Sequence, residues 1–388
     1  MTTTGFRLLP LLLTLLAAPV VGQEDYSTYT VLETATLEMI AGPDRTAALL
    51  SPDGSRVFHL GRREACLYAV TESLPWTSLG CVPLTEENHP GDPTDMMWSP
   101  DGTALLKSTY YQARHAGEDT DIEVIDPATL ATRNLTDDNY EGDRNGAVNV
   151  DVSLRWLNAR SIVFIREIWG GGDDLRSWPP HALMRIGADG SGLATIVDLP
   201  DSTGIALLIP FAIAPTPDGK QIAYLLPNDS GGVWIVPTDG GAPPIRLIDS
   251  DSIGLRPDSL TFSADGTKLL LFGNGLTGWG TIRVLDIATG DITAIAADQN
   301  VTAVAWAPTG AALAYTTYNP SRADLQDGLF LSDTAAGPGR LLLTGAFMAP
   351  VGYGEFPFIW ATNDTVLLAS DPRIENTVTL VRLGPPDR

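Results

Sequence analysis

The chain has 388 residues, 44% hydrophobic and 18% charged, and its 24 basic against 47 acidic side chains give a formal net charge of −23. That is ample for a large core, while the acidity, with only Lys107, Lys220 and Lys268 as lysines, argues against a nucleic-acid partner or an anionic membrane surface, both of which need clustered Lys and Arg. The 38 Gly and 29 Pro are spread along the chain, which reads as many short elements joined by turns rather than as disorder.

Residues 1–22 read as a secretory signal: a short start carrying Arg7, an apolar run from Leu8 to Val21, and small Gly22 at the cleavage point. Pro10 and Pro19 interrupt the run, which at about 14 residues is too short for a comfortable membrane span. No later stretch is long and apolar enough to span, so a secreted or periplasmic protein is expected, with no membrane insertion after cleavage and one domain over 23–388. The two cysteines, Cys66 and Cys81, lie in strand-like runs on either side of a turn containing Pro75. In an oxidising compartment they are expected to form a cross-strand disulfide.

From there the chain repeats itself. An apolar strand ends in a tight turn and a second strand follows at LLSPDGSRVFHL (from Leu49), MMWSPDGTALLKS (Met96), IAPTPDGKQIAYLL (Ile213), LTFSADGTKLLLFG (Leu260) and VAWAPTGAALAYTT (Val304). Weaker copies begin at Leu154 (LRWLNARSIVFIRE) and Phe358 (FIWATNDTVLLAS). The residue before each turn is Leu50, Trp98, Trp156, Pro215, Phe262, Trp306 or Trp360, at intervals of 44 to 59. In the turn, Pro sets φ, Asp bonds the backbone two residues on, and Gly takes positive φ. A third strand (DIEVID, GVWIVP, TIRVLD, GLFLSD) and a fourth (PPIRLID, DITAIA, GRLLLTG) complete each unit. Seven four-stranded units predict an all-β, seven-bladed β-propeller. The segment YTVLETATL from Tyr29 is left over, and it is expected to complete the last blade and close the ring, which removes an exposed edge.

The SPDG copies at Ser51 and Ser99, TPDG at Thr216 and SADG at Ser263 resemble the WD40-like repeats of TolB-type propellers over nearly the whole mature chain. The resemblance implies a binding scaffold of the bacterial envelope. TolB itself carries an α/β domain before a six-bladed ring, which this pattern lacks, so a Tol-Pal role is not implied. Propellers also front prolyl-oligopeptidase-like peptidases, whose α/β-hydrolase domain is likewise missing here.

No G-x-S-x-G, H-E-x-x-H or P-loop occurs, and no cofactor or metal is expected. Of the four histidines, His59 is placed on the second strand of the first unit, packed or at a rim, and His89, His115 and His181 in loops. The stretch DDNYEGDRNGAV sets Asp137, Asn139, Glu141 and Gly142 at calcium-loop positions, but Val148 stands where the bidentate Glu belongs. The connections between second and third strands are long in the second, third, fifth and sixth units and carry Tyr110, Tyr111, Arg114, His115, Trp169, Arg176, Trp178, His181, Trp279, Tyr318 and Arg322. The connection GAFMAPVGYGEF is expected to add Phe347 and Tyr353 on the same face. Aromatics with Arg make recognition hot spots, so a non-catalytic protein or glycan binder is the first expectation. The second is a propeller lyase or hydrolase in which His115, His181, Arg114 and Asp174 act as base and anion clamp.

Overall fold

The computed structural model describes residues 25–38, 47–61, 63–71, 76–85, 96–108, 120–137, 148–169, 181–199, 212–226, 231–253, 256–274, 280–310, 312–322, 324–348, 358–370 and 377–386. Among them, a 3-10 turn at Tyr26–Thr28 and one helical turn at Ser250–Ile253 are the only helix. After β1 (Thr30–Glu38), sheet one holds β2 (Ala47–Leu50), β3 (Arg56–Leu60), β4 (Glu64–Val70) and β5 (Trp76–Pro83). Sheet two holds β6 (Met97–Trp98), β7 (Leu105–Ser108), β8 (Ile122–Ile125) and β9 (Thr132–Asn134), and sheet three β10 (Val148–Asn158), β11 (Ser161–Trp169), β12 (His181–Gly187) and β13 (Ala194–Leu199). Sheet four comprises β14 (Ile213–Pro215), β15 (Gln221–Leu226), β16 (Gly232–Pro237) and β17 (Ile245–Asp249). Next come β18 (Arg256–Phe262), β19 (Lys268–Asn274), β20 (Gly280–Asp286) and β21 (Ile292–Ile295) as sheet five, then β22 (Val301–Trp306), β23 (Leu313–Thr317), β24 (Gly328–Ser332) and β25 (Arg340–Thr344) as sheet six. These two groups are joined as sheets by the pairing of Gly280 with Val301, and an isolated bridge links Ile295 to Gly337. Sheet seven takes β26 (Phe347–Met348), β27 (Thr365–Ser370) and β28 (Thr377–Gly384), with β1 antiparallel to β28 on its edge. The architecture is thus all-β, of four-stranded antiparallel sheets in the manner of a propeller.

The turn motif builds the first two strands of each sheet as its residues require. At the first copy Ser51 Oγ donates to Asp53 Oδ1 at 2.6 Å, the Ser55 amide donates to the same oxygen at 3.0 Å, and the Arg56 amide donates to Ser51 Oγ at 2.9 Å. Ser99 and Asp101, Thr216 and Asp218, and Ser263 and Asp265 repeat the pattern. The glycine that follows lies at φ between 65° and 71° in all four copies, a region that a side chain resists. In the seventh unit Asp364, at φ 62°, takes that place and Asn363 replaces the Asp, its Oδ1 accepting from the Thr365 amide at 3.2 Å.

Strands in the middle of each sheet are apolar on consecutive residues because both faces are covered. Val57 packs with Ala361, Leu367 and Leu380 of sheet seven, while its neighbour Phe58 packs with Met96 and Leu105 of sheet two. Ile162 likewise faces sheet two and Val163 sheet four. Further clusters join sheets four and five, five and six, and six and seven. Each fully buried side chain of this kind is worth about 1.5–3 kcal/mol. The tryptophans before the turns bind sheets together as well: Trp98 Nε1 donates to Leu49 O of sheet one, and Trp306 Nε1 to Thr261 O of sheet five, both at 2.9 Å. Fourth strands are the exposed ones, as in β9 and β17.

Cys66 and Cys81 are bonded, as register partners of β4 and β5. His59 is buried on β3 beside Cys66. One expected loop is different: Phe347 is not a loop residue but pairs with Ser370 as part of β26 and is buried with Phe358 and Trp360, because its ring completes the apolar layer between sheets six and seven. Residues 1–24, Tyr353, and the calcium-like stretch beyond Asp137 lie outside the described residues. Among the described residues no helix is long and apolar enough to cross a membrane.

Candidate functional site

Antiparallel order puts the Asp-Gly turns at one end of the strands and the connections between second and third strands at the other. At that second end, sheets two and three bury charge. Lys107, at the end of β7, lies 3.6 Å from Glu123 on β8 and is itself buried. Asp151, near the start of β10, has no exposed surface, and Arg166 of β11 grips it with Nε and Nη2, each 2.7 Å from a carboxylate oxygen. The guanidinium also stands 5.5 Å from the Phe164 ring. Glu167 reaches Nε2 of His181 at 3.3 Å. Burial pushes the Asp151 carboxyl above its ordinary value, and the Arg166 bonds act against that push.

The two sheets are stitched together at the same place. The Asp151 amide donates to Thr120 Oγ1 at 2.7 Å, and Ser108 Oγ donates to Asp151 O at 3.0 Å. Thr120 and Val150 form an isolated parallel bridge. Behind them, Thr136 Oγ1 accepts from the Ile122 amide at 2.9 Å and donates to Asp121 at 3.2 Å. Residues 109–119 and 170–180, the connections that leave these strand ends, therefore start and finish on fixed stems. Buried ion pairs add little net stability, but breaking one is costly, so they specify geometry more than they add energy.

The expected site residues divide accordingly. His181 is the first residue of β12 rather than part of a loop, and it is buried, because its place across from Glu167 continues the ladder. Tyr318 is half-buried, its amide donating to Asn300 O at 3.0 Å. Arg322 is exposed on the connection of sheet six and forks onto Asp324 at 2.9 and 2.8 Å. That connection is closed at its base by Asn319, whose amide donates to Asp327 Oδ1 at 2.6 Å and whose Oδ1 accepts from the Asn300 amide at 2.9 Å. Tyr110, Tyr111, Arg114, His115, Asp174, Arg176, Trp178, Trp279 and the side chain of Trp169 lie outside the described residues. The sequence reading missed Lys107, Glu123, Asp151, Arg166 and Glu167. Their signal was present: charged residues inside otherwise apolar runs, as in LLKS and SIVFIREIW.

Among the described residues one group of three possible metal ligands stands close together, Glu64, Cys66 and Cys81, and its two sulfurs are bonded to each other.

No family model matches the chain, and no curated protein matches it. Solved structures do. An oligogalacturonate lyase from Vibrio parahaemolyticus superposes with a TM-score of 0.54 at 15% identity, covering 91% of this chain and 97% of that one. An oligogalacturonate lyase in complex with manganese gives 0.54 at 16% identity, over 92% and 97%. A TolB from Acinetobacter baumannii aligns at 0.43 with 16% identity over 75% of this chain, which spans 61% of that protein's length. At these identities the likeness is one of architecture, and the chain has the fold of the two oligogalacturonate lyase structures.

Proposed function

We propose that the chain is a closed seven-bladed propeller that works outside the cytoplasm as a non-catalytic scaffold, holding a protein or glycan partner on the face from which the long connections rise. The observation that carries this reading is the bracing of the stems of 109–119 and 170–180 by Lys107–Glu123, Asp151–Arg166 and Glu167–His181. Fixed stems preorganise the connections they bear, and preorganisation lowers the cost of binding. Closure of the ring is supported by the pairing of β1 with β28 and by the apolar cluster shared by sheets seven and one. The disulfide fits an oxidising compartment. Trp169, Trp178, Trp279, Tyr318 and Arg322 supply the contacts.

A second reading is favoured by one pair. A half-buried carboxylate beside a buried imidazole, as in Glu167 and His181, is how a general base is oriented, and the similar structures include lyases. The same experiment separates the two. The chain from Gln23 is immobilised beside a variant with Trp169, Trp178 and Trp279 changed to Ala, and both are offered an envelope extract and a panel of oligosaccharides. A component held by the parent and lost by an equally stable variant supports the scaffold. Consumption of an offered sugar, abolished by His181→Gln, replaces it with the enzyme.

A further inference from the structure

Across sheet three from His181, at the far end of the β11 and β12 strands and about 20 Å away at ~3.3 Å per residue, lies a second concavity. The tight turn at Ala159–Arg160, the turn running from Gly187 to Gly192, and Arg133 of β9 line a groove of about 590 Å³. That is the size of a small-ligand pocket. Its charge is the reverse of the molecule's: Arg133, Arg160 and Arg185 line it with a single carboxylate, Asp189, in a chain whose net charge is −23.

The carboxylate is already engaged. Asp189 Oδ1 accepts from Ser191 Oγ at 2.6 Å and from the Ser191 amide at 3.0 Å, which together form the turn. Arg133 has a structural bond as well, its Nη2 donating to Ala188 O at 2.5 Å and so tying the turn to sheet two. Arg160 and Arg185 are exposed, and among the described residues no ion pair or hydrogen bond involves either guanidinium. Two unengaged forks beside a third, in a protein with acidic groups to spare, constitute an electropositive recess whose counter-charge is not supplied by the described chain. A guanidinium fork matches an oxyanion in two parallel bonds, which a carboxylate or phosphoryl group alike can accept.

We propose that this groove binds a small ligand bearing at least two oxyanion charges, with Arg160 and Arg185 as its forks and Arg133 completing the field. The site stands at the opposite end of the strands from the partner face and does not depend on it.

The test is calorimetric titration of the mature chain with pyrophosphate and, separately, with citrate, ionic strength being held constant with sodium chloride. One saturable site is expected for at least one of them, weakened tenfold or more by Arg160→Gln with Arg185→Gln and unaffected by Arg63→Gln, an exposed arginine between β3 and β4. The anion that binds names the group, phosphoryl or carboxylate. Absence of saturable binding by both, or binding of equal strength in the double variant, overturns the proposal. Should the Gln pair unfold the chain, Arg160→Ala and Arg185→Ala made singly serve instead, each expected to weaken binding at least threefold.

Discussion

At one end of the strands, sheets one, two, four and five are finished by copies of one device, a hydroxyl and an aspartate that between them bind the turn, whereas at the other end the fastening changes along the chain. Sheet one uses the Cys66–Cys81 bond there, sheets two and three use ion pairs, and sheet six uses Asn319 and Asp327. The uniform end satisfies backbone groups that every copy shares, so its solution can repeat. The varied end bears connections of different length and content, and each stem needs its own fastening. Repetition marks what the fold requires, and departure from repetition marks where this chain differs in what it presents.

The difference can be broken at its strongest point by Arg166→Met, which leaves the Asp151 carboxylate buried without its cation. A loss of roughly 3–5 kcal/mol is expected in urea unfolding, and restoring the balance with Asp151→Leu in the same chain should recover most of it. Next in size is Cys66→Ser with Cys81→Ser. Removing a crosslink that spans 15 positions should cost about 3 kcal/mol, read as a lower melting temperature in the absence of reductant. A single turn is a smaller lever: Ser99→Ala removes the hydroxyl shared by Asp101 and the Ala104 amide and should cost about 1 kcal/mol.

Acid should act on the turn end as a group. The Ser99 hydroxyl holds the Asp101 carboxyl below its ordinary value; at Asp53, Asp218 and Asp265 burial pushes upward but the turn's hydrogen bonds outweigh it. Carboxyls depressed in the folded state contribute stability above the unfolded value of 3.8 and lose it as pH falls through their folded values, so melting temperature should drop on acidification below about pH 4. The smallest effect is local. Asp324, forked by Arg322, is held at about 2 instead of 3.8. In Arg322→Ala its carboxyl should titrate closer to the ordinary aspartate value by NMR, with no measurable change in melting temperature.

The sequence pattern predicts the strand order of each sheet, the partner of β28 and the cysteine pairing, because each depends on local chemistry repeated or confined to one hairpin. It credits Pro, Asp and Gly with the turn and overlooks Ser51, Ser99, Thr216 and Ser263, which are ordinary residues until the hydroxyl is seen bridging Asp and backbone. The three polar pairs are harder to read, since Asp151 and Arg166 become partners only when β10 and β11 fall into register. His181 shows the same limit: PPH reads as loop, and only its pairing with Glu167 makes it strand. The groove of Arg133, Arg160 and Arg185 draws on two sheets, so no spacing along the chain announces it.

The pairing of β1 with β28 also has a consequence for how the protein is made. Thr30 and Gly384 sit opposite each other, so β1 waits for a strand far along the chain before it has this neighbour to bond. Until then its edge is open to other chains. Contacts of such sequence separation form late and slowly. The pairing of β1 with β28 should therefore come late in folding, and the time before it is when this edge is most exposed to aggregation or to a chaperone.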